Sequence, residues 1–393
     1  MDMNLETLQP ILKRGRDVWD QINMPKTEFE QRVKTIRREM KKQGINVLLL
    51  CGSSVNDYGN QCYVSNFVTK LTAGALVIVP QKGDLTLLFE GSARELKIGK
   101  RVTWIDDTRS SLGGVFGSTG SLAGDCLNYL QEKKLTSSKV GLVGVRELMP
   151  YRELQRLLEG MKGCDIVDAG HIIRDMRMIK SERECDQIRR ASRIVSNTFG
   201  VITGMVLRNM DERSMEAKID WAVRLQGAED VRILLARPRD TAWSLSPAEK
   251  RAIAPGDVVI VYLAASFERY WAEGIRTFVA ENASFVEAKP ESLEKLYQEI
   301  TATMKPGNSI AQCYEGASHK IEQAGSGHMS QYGLGNGIGL SLSESPAISR
   351  EGAGRFAKST CFALRLAVRD TTYGSVMFGN TLLVGKGGAE VLT

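Results

Sequence analysis

Apolar positions in the first half of the chain switch repeatedly between helical and strand spacing. Between Lys26 and about Gln43 they recur every three to four residues, at Phe29, Val33, Ile36 and Met40, which predicts an amphipathic helix. A short unbroken run, Val47 to Leu50, then predicts a buried strand. Similar runs stand at Ala75 to Val79, Leu85 to Phe89, Val102 to Ile105, Val140 to Val143 and Ile166 to Val167, with helical stretches at Ala123 to Lys133 and Tyr151 to Met161. Strands alternating with helices predict an α/β domain.

The pattern changes further along. A charged segment, Arg174 to Arg190, opens a long helix that carries Ile188, Ala191, Val195, Phe199 and Ile202 on one face. Ser181 followed by Glu184 has the form of a capping box, which fixes the start of that helix. Beyond it, helices are followed by glycine-punctuated strands at Val258 to Leu263, Arg276 to Val279, Phe362 to Val368 and Thr381 to Val384. The change places a domain boundary near Asp175. Residues 1–25 read as an N-terminal extension, 26–174 as the α/β domain and 175–393 as a second, α+β domain.

Composition narrows the class without naming a function. A length of 393 residues suits two domains that each bury a core, and 42% apolar with 25% charged residues is the balance of a soluble globular chain. The seven cysteines are scattered and show no C-x-x-C spacing, so neither a disulfide framework nor a zinc site is expected, and a reducing cytoplasm is the natural compartment. Met1 to Pro25 has no apolar core of a secretory signal, and no run is long enough for a membrane helix. A net charge of +6 with bases interleaved among acids gives little support to nucleic-acid binding.

Asn60 to Phe67, Met178 to Ile188, Gly256 to Phe278 and Gly335 to Pro346, in that order, resemble segments of the creatinase/aminopeptidase P/methionine aminopeptidase family, whose C-terminal domain is the pita-bread fold. Asn60-Gln61-Cys62-Tyr63-Val64-Ser65-Asn66-Phe67 is similar to the N-x-x-Y-L-T-G-F strand of the family's N-terminal domain. Met178-Ile179-Lys180-Ser181, with Glu184 and Ile188, is similar to the R-x-I-K-S-x-x-E-I entry to its catalytic domain. The resemblance covers roughly residues 26–393 and implies a creatinase-like α/β domain followed by a pita-bread domain.

It also implies a two-metal site whose ligands this chain lacks. The family's strand G-D-L-V-x-V-D-x-G appears as Gly256-Asp257-Val258-Val259-Ile260-Val261-Tyr262-Leu263-Ala264, with Tyr262 at the first aspartate. Glu273 stands eleven residues later, before Gly274-Ile275-Arg276-Thr277-Phe278. The G-H-G-I-G-L-x-x-H-E-x-P segment appears from Gly335 to Pro346, with Asn336 and Ser343 in place of both histidines. Arg365 stands where a bridging glutamate would lie, and Gly379 takes the last ligand position. One carboxylate remains, and an arginine has no lone pair for a cation, so no metal and no other cofactor is expected. The metal-free creatinase pattern fails as well: Asp240 to Pro247 holds no histidine, and Ile275 replaces the glutamate before Arg276-Thr277.

The candidate site is therefore a polar pocket. Glu273, Tyr262 and His328 are the candidates for proton transfer, and Arg365, Asn336, Glu344, Arg276 and Arg237 for substrate binding, with Arg239 in the same loop as Arg237. Alternatives stay open at each. Glu273 reads as a general base or substrate ligand, or as the partner of a buried ion pair with Arg365. Tyr262 reads as a proton donor or as filler, Glu344 as a cleft residue or a strand cap, and His328 as a pocket group or a plain loop residue. The cysteines read as buried apolar residues.

Two functions fit. One is a metal-independent hydrolase or lyase acting on a small polar substrate, anionic or an amide or guanidino compound, in the former metal pocket. The other is a catalytically silent homologue serving as a binding module or as a subunit of a homodimer or of a heteromer with a homologue. Ordinary metallopeptidase activity is not expected.

Overall fold

The computed structural model describes residues 19–53, 57–68, 74–91, 93–111, 120–238, 244–323 and 333–393. The chain divides into two compact units, Met1–Arg177 and Met178–Thr393.

The first unit runs α1 (Lys26–Lys42), β1 (Val47–Ser53), α2 (Gly59–Ser65), β2 (Gly74–Pro80), β3 (Thr86–Phe89), α3 (Ala93–Val102), β4 (Asp107–Ser110), α4 (Leu122–Glu132), β5 (Lys139–Val143), α5 (Val145–Leu148), α6 (Tyr151–Gly160), β6 (Asp165–Asp168) and α7 (Gly170–Met178). Its sheet has the order β4-β3-β2-β1-β5-β6. The central strand β1 pairs antiparallel with β2 and parallel with β5. It is buried nearly throughout, as its unbroken apolar run requires of a strand covered on both faces. Val47, Leu49 and Cys51 share one cluster with Leu122, Cys126, Leu130 and Leu157 from α4 and α6.

Two expected strands of this unit are corrected. Residues 60–67 lie mostly in helix α2, where Ser65 Oγ donates back to the Gln61 carbonyl at 2.8 Å and Asn66 turns left-handed at φ 59° to end the helix. Val102 closes helix α3, and residues 103–105 run without regular structure before β4. Val102 and Ile105 are both buried at a spacing of three, which suits a helix end as well as a strand, so a run this short carries no period of its own.

The second unit comprises α8 (Glu182–Thr203), α9 (Glu212–Leu225), β7 (Asp230–Ala236), β8 (Val258–Phe267), β9 (Tyr270–Ala280), β10 (Phe285–Glu287), α10 (Glu291–Thr301), α11 (Ile310–Gln323), β11 (Gly335–Gly337), β12 (Glu344–Ile348), β13 (Cys361–Asp370), β14 (Gly374–Val384) and β15 (Ala389–Val391). The capping box of α8 is formed: Ser181 accepts from the Glu184 N–H at 3.2 Å while Glu184 accepts from the Ser181 N–H at 3.0 Å. The sheet order is β12-β11-β13-β14-β9-β8-β7.

Strand alternation gives this sheet two different faces. On one, Val259, Val261, Leu263, Ala272 and Phe278 pack against α8 and α9. Phe362, Leu364, Leu366 and Leu382 extend the same face under α10 and α11. The other face carries a small cluster, Ala236, Ile260, Ile275, Ala367 and Met377, with Leu245 and Tyr262 packed on it. The polar site described next belongs to that second face. Among the described residues, no helix is long and apolar enough to cross a membrane.

Candidate functional site

Strand register assembles the site. One row of residues across the sheet reads Leu234, Tyr262, Ile275, Gly379 and Arg365, from β7 to β13. The adjacent row on the same face holds Arg232, Ala264 and Glu273 on β7 to β9, and Thr381, Ala363 and Asn336 on β14, β13 and β11. Ala264, Ala363 and Gly379 are small, so the long polar side chains lie over them instead of standing apart.

The polar groups engage one another. Arg365 Nε donates to Glu273 Oε1 at 2.6 Å, Tyr262 donates its hydroxyl to Glu273 Oε2 at 3.0 Å, and Arg365 Nη1 donates to Asn336 Oδ1 at 2.9 Å. The Asn336 amide nitrogen in turn donates to the carbonyls of Gly337 at 2.7 Å and Leu342 at 3.0 Å. Glu273 is 1% exposed. Its backbone is fixed from β14, because Thr381 Oγ1 accepts the Glu273 N–H at 2.8 Å and donates to the Glu273 carbonyl at 2.9 Å.

Charge states follow from this packing. Burial and the neighbouring Glu273 carboxylate push the Tyr262 phenol well above its ordinary value, so it is a neutral donor. Burial works against the Arg365 charge, but the carboxylate of Glu273 more than offsets it and holds the guanidinium above its ordinary range.

Arg365, Asn336, Tyr262 and Glu273 are thus brought together, and other candidates are not. Arg276 is corrected: it lies on the opposite, helical face, its guanidinium 4.9 Å from the Phe199 ring and 4.3 Å from the Phe378 ring. It donates to the Gly379 carbonyl and Asn380 Oδ1, both at 2.8 Å, and pairs with Glu287 at 3.2 Å. The even and odd positions of β9 face opposite ways, which separates Arg276 from Glu273. Arg237 is corrected too: it is buried in an ion pair with Asp257, near Glu212 of α9, and donates to the Ala252 carbonyl at 2.7 Å. Glu344 is drawn into a buried pair with Lys180 at 2.8 Å and accepts the Ser341 N–H at 3.1 Å. Gly337 has to be glycine there, because a Cβ would stand 2.9 Å from the Ser345 carbonyl oxygen and 3.0 Å from that of Glu344. His328 and Arg239 lie outside the described residues.

Two residues of this face escaped the sequence reading. Arg232 extends from edge strand β7 over the indole of Trp271, 5.7 Å from its centroid. The one basic residue within Asp230-Val231-Arg232-Ile233-Leu234-Leu235-Ala236, on the face set by strand alternation, was the available signal.

Fold and site together define a two-domain chain of the creatinase and prolidase type, with an α/β unit preceding a pita-bread unit. The chain belongs to metallopeptidase family M24, whose model matches residues 186–386, and the Creatinase/Prolidase N-terminal domain matches residues 32–179. It is similar to the Xaa-Pro dipeptidase of Pyrococcus horikoshii, 25% identical over 256 residues that span 64% of this chain and 72% of the relative. The prolidase structure from the same organism superposes with a TM-score of 0.73 at 22% identity, over 92% of this chain and 98% of that one. The N-terminal domain of FACT complex subunit SPT16 from chickpea shares the fold with a TM-score of 0.65 at 16% identity, over 93% and 96% of the two chains.

Proposed function

We propose that this M24-family chain is a catalytically silent homologue, a binding module or a subunit of a homo- or hetero-oligomer, whose metal pocket has been taken over by an ion-paired network. The observation that carries the reading is the 2.6 Å contact between Arg365 and Glu273. A pair of hard divalent cations needs several carboxylate oxygens and a nitrogen donor converging on one point. Here the single carboxylate is already held by a cation that offers no lone pair. Among the described residues, no group of three or more His, Cys, Asp or Glu side chains could hold an ion. The residues present therefore do not fit the metals of the family. The pita-bread fold does occur in a protein described as a subunit of a complex, which makes a subunit role compatible with this architecture. All seven cysteines are free, in keeping with a cytoplasmic chain.

The test is metal analysis of the purified full-length chain together with turnover of Xaa-Pro dipeptides in the presence of divalent cations. Neither stoichiometric metal nor hydrolysis is expected. A stoichiometric divalent ion that is lost on Glu273→Gln would overturn the reading.

A second reading, a metal-free hydrolase or lyase, is favoured by one feature: the neutral Tyr262 phenol bonded to Glu273. In that case Tyr262 would supply its proton to a leaving group, and the phenolate so formed, favoured by the Arg365 and Arg232 charges, would be reprotonated by solvent. Turnover of small amides or guanidino compounds that disappears in Tyr262→Phe, with the fold intact, would select this reading over the first.

A further inference from the structure

The hydrogen-bonding capacity left over at this face is almost all donor. Both carboxylate oxygens of Glu273 are engaged, one by Arg365 and one by Tyr262. Asn336 spends its oxygen on Arg365 and its nitrogen on two carbonyls. Arg365 uses Nε and Nη1, and among the described residues its Nη2 meets no partner; the side chain is 15% exposed. Arg232 uses only Nη1, toward Asp230 Oδ1 and the Val231 carbonyl, both at 3.3 Å. Its Nε and Nη2 have no partner among the described residues, and the side chain is 44% exposed.

Those two nitrogens form one edge of the guanidinium. Two parallel N–H groups on that edge match the two oxygens of a planar carboxylate, and the Trp271 ring under the guanidinium limits the orientations it can take. Arg232 and Arg365 start on strands β7 and β13, four strand spacings apart, or roughly 19 Å. Each reaches inward. Arg365 crosses β14 to meet Glu273 on β9, and Arg232 leans over Trp271 on the same strand. Both charges favour the ionised form of the Tyr262 phenol, against the larger opposing effects of burial and Glu273.

We propose that Arg232 is the recognition group of this site for a small carboxylate ligand, whose carboxylate takes the Nε–Nη2 edge over Trp271 while its polar remainder accepts from Arg365 Nη2. Glu273 does not repel such a ligand, since its charge is balanced by Arg365. The Glu273 carboxylate offers a cation or amine no unengaged oxygen. This assignment rests on the reading of the pocket as a metal-free binding site, and deepens it by naming the ligand class.

The experiment uses the full-length protein at low salt and a panel of short aliphatic and N-acyl monocarboxylates, each beside its own uncharged amide, followed by ligand-observed NMR and calorimetry. Carboxylates are expected to bind and their amides not, and Arg232→Gln is expected to weaken the carboxylates by at least about tenfold. Arg189→Gln, which removes a comparably exposed guanidinium elsewhere, should leave binding unchanged. Unaltered circular dichroism and melting temperature will show that Arg232→Gln is folded. The proposal is overturned if no carboxylate binds at tens of millimolar, if amides bind equally well, or if Arg232→Gln binds like the wild type. Metal content and dipeptide turnover, measured on the same preparation, decide the silent-homologue reading separately.

Discussion

Arg365 lies across β14 to donate to Glu273 on β9, and the residue opposite it on β14 is Gly379. A side chain at that position would rise from the sheet between the two partners. The arginine, the glycine and the surviving carboxylate thus stand side by side on three neighbouring strands.

The first prediction concerns the cost of breaking the pair. Removing the guanidinium leaves a carboxylate that is 1% exposed without its counter-charge. Arg365→Leu should therefore destabilise the protein by about 3 kcal/mol or more. The double variant Glu273→Leu/Arg365→Leu should recover most of that loss, because burying neither charge is close to neutral against burying both. Urea denaturation of the four proteins in the cycle measures the coupling, and strictly additive losses would remove the pair from the account.

Tyr262 gives the site a pH signature. Its phenol is raised well above the ordinary 10.0, with burial as the largest cause and the Glu273 carboxylate next. The proton is bound more tightly in the folded than in the unfolded chain. The stabilisation is therefore fully present below pH 10, and is lost as pH rises from there through the folded-state value. Tyr262→Phe should flatten the alkaline fall of stability; the buried Tyr297, also raised, contributes a similar fall that remains. Denaturation at a series of alkaline pH values checks it, and an unchanged slope in the variant would count against a protonated phenol on Glu273.

How far the sequence could be read depends on range. The helix from Lys26, the Ser181 cap and the long strands from Val258 and Phe362 are written in local spacing and capping chemistry, and they stand where that spacing puts them. Residues 60–67 and 102–105 are too short for a period to decide, and their backbone is set by a bond from Gln61 to the Phe67 carbonyl within the first segment and by bonds from Thr103 and Trp104 to the Ser65 and Val64 carbonyls. At the site, Tyr262, Glu273, Asn336 and Arg365 were legible because they replace ligands in a recognisable frame. Arg276 and Arg237 were misplaced because charge was weighed without strand parity, and Arg276 occupies an even position of β9 while Glu273 occupies an odd one. The charge of Arg232 is visible within its own segment, but its place beside Glu273 and Trp271 comes from cross-strand register, which no single segment contains.

Thr381 supports Glu273 through the backbone. The β9–β14 ladder pairs Gly379 with Ile275 and Asn380 with Gly274, and at the next position the Thr381 hydroxyl serves both backbone groups of Glu273. Thr381→Val keeps the shape and removes the hydroxyl, so a loss of about 1–3 kcal/mol is expected from the buried groups left short of a partner. Faster hydrogen exchange at the Glu273 amide, measured by NMR, is the specific readout. If that amide stays as protected as in the wild type, Thr381 is not what holds it.

Gly379 offers the sharpest test of the arrangement, because the family places a carboxylate there. A Cβ at this position would stand 3.0 Å from the Leu364 carbonyl oxygen and 3.3 Å from the Ile275 side chain, so even an alanine is tight. Gly379→Ala should therefore cost on the order of 1 kcal/mol, the lower end of the overpacking range. Gly379→Glu adds a second carboxylate directly beneath the guanidinium and competes with Glu273 for it, so the loss should exceed that of the alanine variant by about 1–3 kcal/mol. The Arg365 Nε–H resonance, which the 2.6 Å bond to Glu273 should shift in the wild type, should move in the glutamate variant and hold its place in the alanine variant. A glutamate variant as stable as the wild type, with that resonance unmoved, would show that the path across β14 does not depend on the glycine.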